Sequence, residues 1–157
     1  LPPILRDIAR LVIVGDGDSK SYLEQANKLD VKDKVEFLGG RKDIPQLLLA
    51  ADLLLHPARK ENTGTVILEA MVAGLPMIVS QACGYAKHVT KSSAGAVVDE
   101  PFNQLDFNRK LVATMQDGSL PTWSDNGLAY AETEDLYSMP IKAADIIEQQ
   151  LQQRKTT

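Results

Sequence analysis

The sequence has little of what marks several large classes of protein. It contains one cysteine, Cys83, in 157 residues, so no intrachain disulfide can form. No apolar run approaches the roughly 18 residues that a transmembrane helix needs. The first residues lack the basic segment and long apolar stretch of a signal peptide. A formal net charge of −4 argues against broad electrostatic binding to nucleic acid. We therefore expect no disulfide scaffold, no transmembrane segment and no nucleic-acid partner.

The composition that is present is ordinary for a globular domain. The chain is 44% hydrophobic and 24% charged, which is typical of folded proteins. Its length suits one domain, and no linker divides it, so we expect a single domain over residues 1–157. The chain begins with Leu1 and not with Met. We expect it to be a fragment of a longer protein.

Short apolar segments alternate with amphipathic ones along the chain. Strands are predicted at 11–15, 35–38, 53–57, 76–80 and 95–99. The first of these is rich in β-branched residues and is interpreted as buried on both faces. Helices are predicted over 19–30, 43–51, 64–73 and 103–116, from Trp123 onward, and from about Ile141. Strands joined by helices predict an α/β fold with a Rossmann-like, doubly wound parallel sheet and helices on both faces.

Several side chains have predicted structural roles. Ser19 and Asp43 precede the first two helices and suit N-caps. Residues 85–89 are predicted to form a short turn or helix. The apolar face of the first helix is predicted to contain Tyr22, Leu23, Ala26 and Leu29. His56, His88, Trp123, Tyr130 and Tyr137 are interpreted as structural or packing residues. Ile141, Ala144, Ile147 and Leu151 form an apolar stripe that we expect to be partly exposed or used in a dimer contact.

Ligands of open parallel sheets bind beyond the carboxyl ends of the strands, so the loops there are informative. The loop Gly15-Asp16-Gly17 gives G-x-G, but Lys20 stands where a dinucleotide fingerprint has its next glycine. Asp16 and Asp18 would also repel a pyrophosphate. A tight turn is the alternative interpretation of this loop, and it also accounts for the D-x-D spacing of the two acids. NAD binding is therefore disfavoured.

The segment 56–76 carries most of the functional information. Glu61 and Glu69 are eight residues apart, and between them a helix begins near Gly64. Unpaired N–H groups and the helix dipole make such an N-terminus an anion site. A diphosphate there would have Glu69 on the ribose side and Glu61 on the side of a transferred sugar. The alternative is an ordinary helix whose acidic residues suit the dipole.

Segment 56–76 resembles the nucleotide-sugar-binding domain of retaining GT-B glycosyltransferases of family 4. The pattern H-P-x3-E-x-x-G-x4-E-A-x-A-x-G-x-P is matched by His56, Pro57, Glu61, Gly64, Glu69, Ala70, Ala73, Gly74 and Pro76. Val14 to Gly17 and Phe37 to Gly39 also stand in family order. Residues 82–86 and 135–147 are similar to the lipopolysaccharide core glucosyltransferase I subfamily. Where most of the family has G-G-x-P-E, this chain has Cys-Gly-Tyr-Ala-Lys at 83–87.

The resemblance implies a role for each matching residue. Glu61 would be the catalytic residue and contact the donor sugar, and Glu69 would accept hydrogen bonds from the ribose. The backbone N–H groups of Thr63, Gly64, Thr65 and Val66 would bind the diphosphate. Arg41 would lie along the uracil, with a solvated turn arginine as the alternative. Gly15 and Ile44 would line the same pocket, and Cys83 and Gly84 would approach the sugar through their backbone. The Cys83 thiol is either a nucleophile or, without an adjacent histidine partner, a packed side chain.

The resemblance also implies the reaction, which is transfer of glucose from UDP-glucose to an inner-core heptose of lipopolysaccharide with retention. No cofactor and no metal are expected. The lipopolysaccharide acceptor would bind through an N-terminal domain missing from this chain, so the isolated chain should bind UDP weakly and transfer nothing. We expect a cytoplasmic location, with peripheral attachment of the full-length enzyme to the inner membrane. The alternatives are a related transferase with another donor or acceptor, and a non-catalytic nucleotide-binding module.

Overall fold

The computed structural model describes residues 2–155, with side chains described for 2–138 and 141–149. All five predicted strands are present: β1 (Leu11–Val14), β2 (Val35–Gly39), β3 (Leu54–His56), β4 (Met77–Ser80) and β5 (Gly95–Val98). The helices are α1 (Lys20–Lys28), α2 (Ile44–Ala50), α3 (Thr65–Val72), α4 (Ala86–Ser92), α5 (Gln104–Gln116), α6 (Leu120–Thr133) and α7 (Met139–Lys155). Short 3-10 turns at Pro3–Leu5 and Lys32–Lys34 were not predicted.

The strands are all parallel, but they form two sheets and not the single sheet that we expected. β1 pairs with β2, and β3, β4 and β5 form a second sheet in that order. A continuous sheet would need the free edges of β1 and β3 to meet. β3 has only three residues, and Pro57, which follows it, has no N–H to extend the ladder. The α/β class with parallel strands between helices is confirmed.

The second sheet has a hydrophobic cluster on each face. All four residues of β4 are buried. Met77 and Val79 belong to a cluster with residues of α3 and α4, whereas Ile78 belongs to another with residues of α5. Successive strand residues point to opposite faces, so helices cover both sides of this sheet as predicted. Leu5, in the first 3-10 turn, is fully buried in the cluster that contains Ile78.

The first sheet is less buried than predicted. Val12 and Val14 of β1 are 45% and 38% exposed, so the prediction that β1 is buried on both faces was wrong. β1 has a strand on one side only, and alternate residues remain open to solvent. On α1, Ala26 is buried but Tyr22 and Leu29 are exposed, so the helix buries a narrower stripe than the four predicted positions.

Three of the predicted boundaries and the predicted Ser19 cap differ from the structure. α6 begins at Leu120 and not at Trp123, because Pro121 is accommodated in its first turn. α7 likewise begins at Met139, with a proline as its second residue. The segment predicted as a short turn or helix forms α4, which continues to Ser92. Ser19 makes no side-chain cap, and the Asp18 carboxylate accepts from the Lys20 N–H at 2.9 Å instead.

Packing roles are confirmed for most of the predicted residues. Trp123 packs against the cluster of Ile78, and Tyr130 packs against the other cluster and contacts His88 on α4. Tyr137 is 62% exposed, so its predicted packing role was wrong; the adjacent Leu136 fills the core position instead.

The stripe on α7 is exposed at each described position. Ile141 and Ile147 are 66% and 60% exposed, and Ala144 is also exposed. The side chain of Leu151 lies outside those that the structure describes. Within the described chain, no helix combines the length and apolarity needed to cross a bilayer.

Candidate functional site

The N-terminus of α3 is formed by a loop that turns sharply at Gly64. Gly64 is buried and has φ +74°, a left-handed conformation that favours glycine. Its carbonyl accepts from the Ile67 N–H at 2.9 Å. The N–H groups of Thr65 and Val66 lie in the first turn, where a helix offers no internal acceptor. The structure therefore places Thr63, Gly64, Thr65 and Val66, the four predicted diphosphate-binding residues, next to one another at the start of α3.

The two glutamates lie on either side of this helix start. Glu61 is in the preceding loop, where its Oε1 accepts from the Asn62 N–H at 2.9 Å. A Cβ placed on Gly64 would be 3.6 Å from Glu61 Cγ, so this side chain lies against the turn. Glu69 is exposed on α3, four residues beyond Thr65 and about 6 Å further along the helix axis.

A second loop, residues 81–85, packs directly against the first. The Tyr85 N–H donates to the Thr63 carbonyl at 3.0 Å. A Cβ on Gly84 would lie 2.5 Å from the Asn62 carbonyl oxygen, so only a glycine lets the two loops approach this closely. The loops that follow β3 and β4, which carry the residues predicted to bind the sugar nucleotide, therefore form one continuous surface.

Cys83 is a packed residue in this loop and not an activated thiol. It is 2% exposed, and its Sγ lies 3.7 Å from Ser80 Oγ. Burial raises the pKa of the Cys83 thiol, and the carboxylates of Glu61 and Glu100 raise it further, against an opposing hydrogen bond from Ser80. A thiol with a raised pKa stays protonated and is a poor nucleophile. This confirms the packing interpretation.

Arg41, after β2, makes an ion pair that we did not predict. Its Nε and Nη2 donate to the two carboxylate oxygens of Asp43 at 2.8 and 2.6 Å. This hydrogen bonding raises the pKa of Arg41 and lowers the pKa of Asp43. Asp43 therefore does not cap α2, and that prediction was wrong. The pair uses the edge of the guanidinium and leaves its flat faces for stacking.

The loops after β1 and β2 contact each other. The Gly15 N–H donates to the Gly39 carbonyl at 2.9 Å, and the Asp16 carboxylate lies against Gly40. Within the described residues, no hydrogen bond or ion pair joins Gly15 or Arg41 to the start of α3. Ile44 is partly buried and packs against the hydrophobic cluster that includes Cys83 and residues of α3.

His56 lies in the site, although we interpreted it as structural. It ends β3, and its Nε2 is 3.8 Å from Glu61 Oε2. The signal that could have found it is its place at the carboxyl end of a strand, where ligands of parallel sheets bind. Similarly, the close spacing of Arg41 and Asp43 in one loop could have indicated their pair. Among the residues with described side chains, no group of three histidines, cysteines or acids could hold a metal.

Comparisons with known proteins identify the family and the fold of this chain. The family described as glycosyl transferases group 1 matches residues 3–127. The lipopolysaccharide glucosyltransferase WaaG of Escherichia coli is 44% identical over 94% of this chain, and the match spans 40% of that protein. A crystal structure of WaaG covers the same shares of the two chains, with a TM-score of 0.86. Anabaena HepE in complex with UDP-glucose is 27% identical over 89% of this chain and 41% of its own, with a TM-score of 0.73.

The chain thus spans about 40% of the length of the relatives that it matches. The chain has the Rossmann-like α/β fold of parallel strands between helices, and the solved structure of WaaG that it matches is that of a GT-B glycosyltransferase. The match to the family covers most of the chain, including both glutamates and the start of α3. The chain therefore belongs to the group 1 glycosyltransferases.

Proposed function

We propose that this chain is the UDP-sugar-binding part of a retaining glycosyltransferase that transfers glucose from UDP-glucose to an inner-core heptose of lipopolysaccharide. The observation that carries the proposal is the start of α3, where free N–H groups lie between Glu61 and Glu69. It is supported by the likeness to a lipopolysaccharide glucosyltransferase and to a protein crystallised with UDP-glucose.

Each part of the donor is assigned to residues at this edge of the sheets. The diphosphate binds the N–H groups of Thr63, Gly64, Thr65 and Val66, and Glu69 accepts hydrogen bonds from the ribose. The uracil stacks on Arg41, whose orientation Asp43 fixes. Gly15 and Ile44 line the base pocket, and Cys83 and Gly84 approach the sugar through their backbone. Glu61 contacts the sugar beside the reacting carbon.

The chemistry that this arrangement supports is displacement of UDP from the anomeric carbon. The bond between that carbon and the diphosphate oxygen breaks, and its electron pair leaves with UDP. The acceptor hydroxyl oxygen bonds to the carbon with the same configuration, and its proton passes to the leaving diphosphate. Negative charge grows on the leaving diphosphate, where the start of α3 stabilises it. The Glu61 carboxylate favours the positive charge that develops on the sugar. The reaction needs no metal and no cofactor in this proposal.

The acceptor and the location belong to the same proposal. This chain matches only part of the length of its relatives, so we assign acceptor binding to a part of the enzyme beyond the matched segment. Lipopolysaccharide assembly from a UDP-sugar implies that the donor site is cytoplasmic, with the full-length enzyme peripheral to the inner membrane.

The test is a calorimetric titration of this chain with UDP, UDP-glucose, UDP-galactose, NAD and ATP. We expect the uridine ligands alone to bind. Glu69→Ala should weaken UDP binding by about 10- to 150-fold, which corresponds to loss of a hydrogen bond to a charged group. Glu132→Ala, which removes an exposed glutamate from α6, is the matched control and should bind UDP like the wild type.

Two results would contradict the proposal. Tight binding of NAD would assign the loop after β1 to a dinucleotide. UDP binding that is indifferent to Glu69→Ala would remove the ribose from α3. A preference for UDP-galactose over UDP-glucose would keep the family and the site but change the donor sugar.

A further inference from the structure

His56 has a buried polar atom without a partner. Its Nε2 is shielded from solvent and makes no hydrogen bond among the described residues. A buried donor left unpaired is unfavourable, and such atoms are rare in folded proteins. Because His56 lies at the end of β3, beside the loop of the donor site, the unpaired atom points to a function there.

The Glu61 carboxylate is the group that can satisfy this atom. Glu61 Oε2 lies 3.8 Å from His56 Nε2, slightly beyond a hydrogen bond. Catalytic hydrogen bonds are often long without ligand and shorten in the complex. The other oxygen, Oε1, already accepts from the Asn62 N–H at 2.9 Å. An ionised carboxylate has about four acceptor positions. With two filled by the protein, two remain for hydroxyl groups of a sugar.

We propose that His56 is a positioning residue for Glu61, and that its Nε2–H donates to Glu61 Oε2 when the donor sugar binds. The inference rests on the proposed function, because it takes Glu61 to contact that sugar. A neutral imidazole with its proton on Nδ1 would turn a lone pair toward the carboxylate, so this arrangement favours the Nε2–H form. Held at both oxygens, Glu61 presents its remaining acceptor positions in one orientation.

Replacing His56 should affect binding of the sugar and not binding of the nucleotide. The UDP part of the donor is assigned to the start of α3 and to Glu69, and among the described residues no hydrogen bond or ion pair joins either of them to His56. Loss of His56 should therefore reduce the contribution of the glucose to binding and leave that of the nucleotide. A purely structural histidine at the end of β3 would instead affect both ligands together, because β3 leads directly into the donor loop.

The first test compares the affinities of UDP-glucose and UDP for the wild type, His56→Leu and His56→Gln. His56→Leu should lower the affinity for UDP-glucose about tenfold and change that for UDP by less than about twofold. The glutamine amide can place an N–H near the position of Nε2, so His56→Gln should retain most of the wild-type preference. Equal losses for both ligands, or no loss for either, would overturn the proposal.

The second test needs no ligand and separates this inference from the proposed function. The chain has two histidines, so His88→Gln assigns the imidazole resonances. We expect the imidazole nitrogen shifts of His56 to show the Nε2–H tautomer in the wild type without ligand, and a mixture of the two tautomers in Glu61→Ala. A proton on Nδ1 in the wild type, or unchanged shifts in Glu61→Ala, would show that the two side chains are not paired. Failure of the wild type to bind uridine ligands would contradict the proposed function, and this readout would still decide the pairing.

Discussion

A single methyl group at residue 84 would collide with the loop that precedes α3. The Cβ of an alanine there would lie 2.5 Å from the Asn62 carbonyl oxygen, and backbone cannot move away as a flexible side chain can. We predict that Gly84→Ala destabilises the protein by about 1–3 kcal/mol, as overpacking does. It should also weaken UDP binding, because Asn62 and Thr63 lead into the diphosphate site. Urea unfolding and calorimetry measure the two effects.

Gly17→Ala is the matched control for that prediction. A Cβ on Gly17 would meet nothing within 4 Å, and its φ is not left-handed. Its unfolding free energy should stay within about 0.5 kcal/mol of the wild type. Equal stability of the two variants would show that the loops are not in close contact.

The position of a single residue in the fold could be predicted where it belonged to a recognisable sequence pattern. The positions of the two glutamates, one before α3 and one within it, were predicted correctly because the helix start and the strand ends follow from local periodicity. Packing of Cys83 followed from its lack of a histidine partner. The pairing of Arg41 with Asp43 was missed, because a carboxylate before a helix suits two roles and only the fold selects one.

A histidine and a tyrosine form a contact between α4 and α6. His88 Nδ1 lies 2.9 Å from the Tyr130 hydroxyl, and the His88 ring packs edge-on against Tyr85 and Tyr130. Burial lowers the pKa of His88, and the neighbouring Lys87 and Lys91 lower it further, against the opposing Glu134. The folded protein therefore favours neutral His88.

We predict that this histidine makes the protein less stable in acid. The unfolded chain takes up the proton near the ordinary histidine pKa of about 6.5, and the folded protein takes it up only at lower pH. The stabilisation is thus present above about pH 6.5 and is lost as the pH falls below it. Urea unfolding of the wild type and of His88→Asn between pH 7.5 and 5 measures the difference. Parallel pH profiles of the two proteins would contradict the prediction.

Helices and strands were predicted with unequal success for a physical reason. Periodicity identified every strand and the apolar helices α3 and α5, because burial there acts on consecutive turns. It overestimated the burial of β1 and α1, because an apolar sequence does not reveal whether a neighbouring strand will cover it. The predicted starts of α6 and α7 were two or three residues too late, because each helix has a proline as its second residue, which a first helical turn tolerates.

The molecule has a well-packed part and a more open part, and the proposed donor site draws on both. β4 is fully buried between two clusters, whereas Val12 of β1 is 45% exposed. The sequence predicted a single sheet and did not reveal this division, because pairing between the edges of β1 and β3 depends on geometry that no local pattern specifies. Gly15 and Arg41 follow strands of the first sheet, and the start of α3 packs with the second.

Hydrogen exchange can show whether one bound ligand contacts loops of both sheets. Without ligand, the amides of β4 should exchange most slowly and those of β1 much faster, because buried and paired backbone opens least often. UDP should slow exchange at 63–66 and also in the loops at 15–18 and 39–42, since the proposed base and diphosphate contacts lie on different sheets. The Glu69→Ala variant should lose protection in all three segments together. Protection confined to 63–66 would remove Gly15 and Arg41 from the donor site while leaving the anion site at α3 intact.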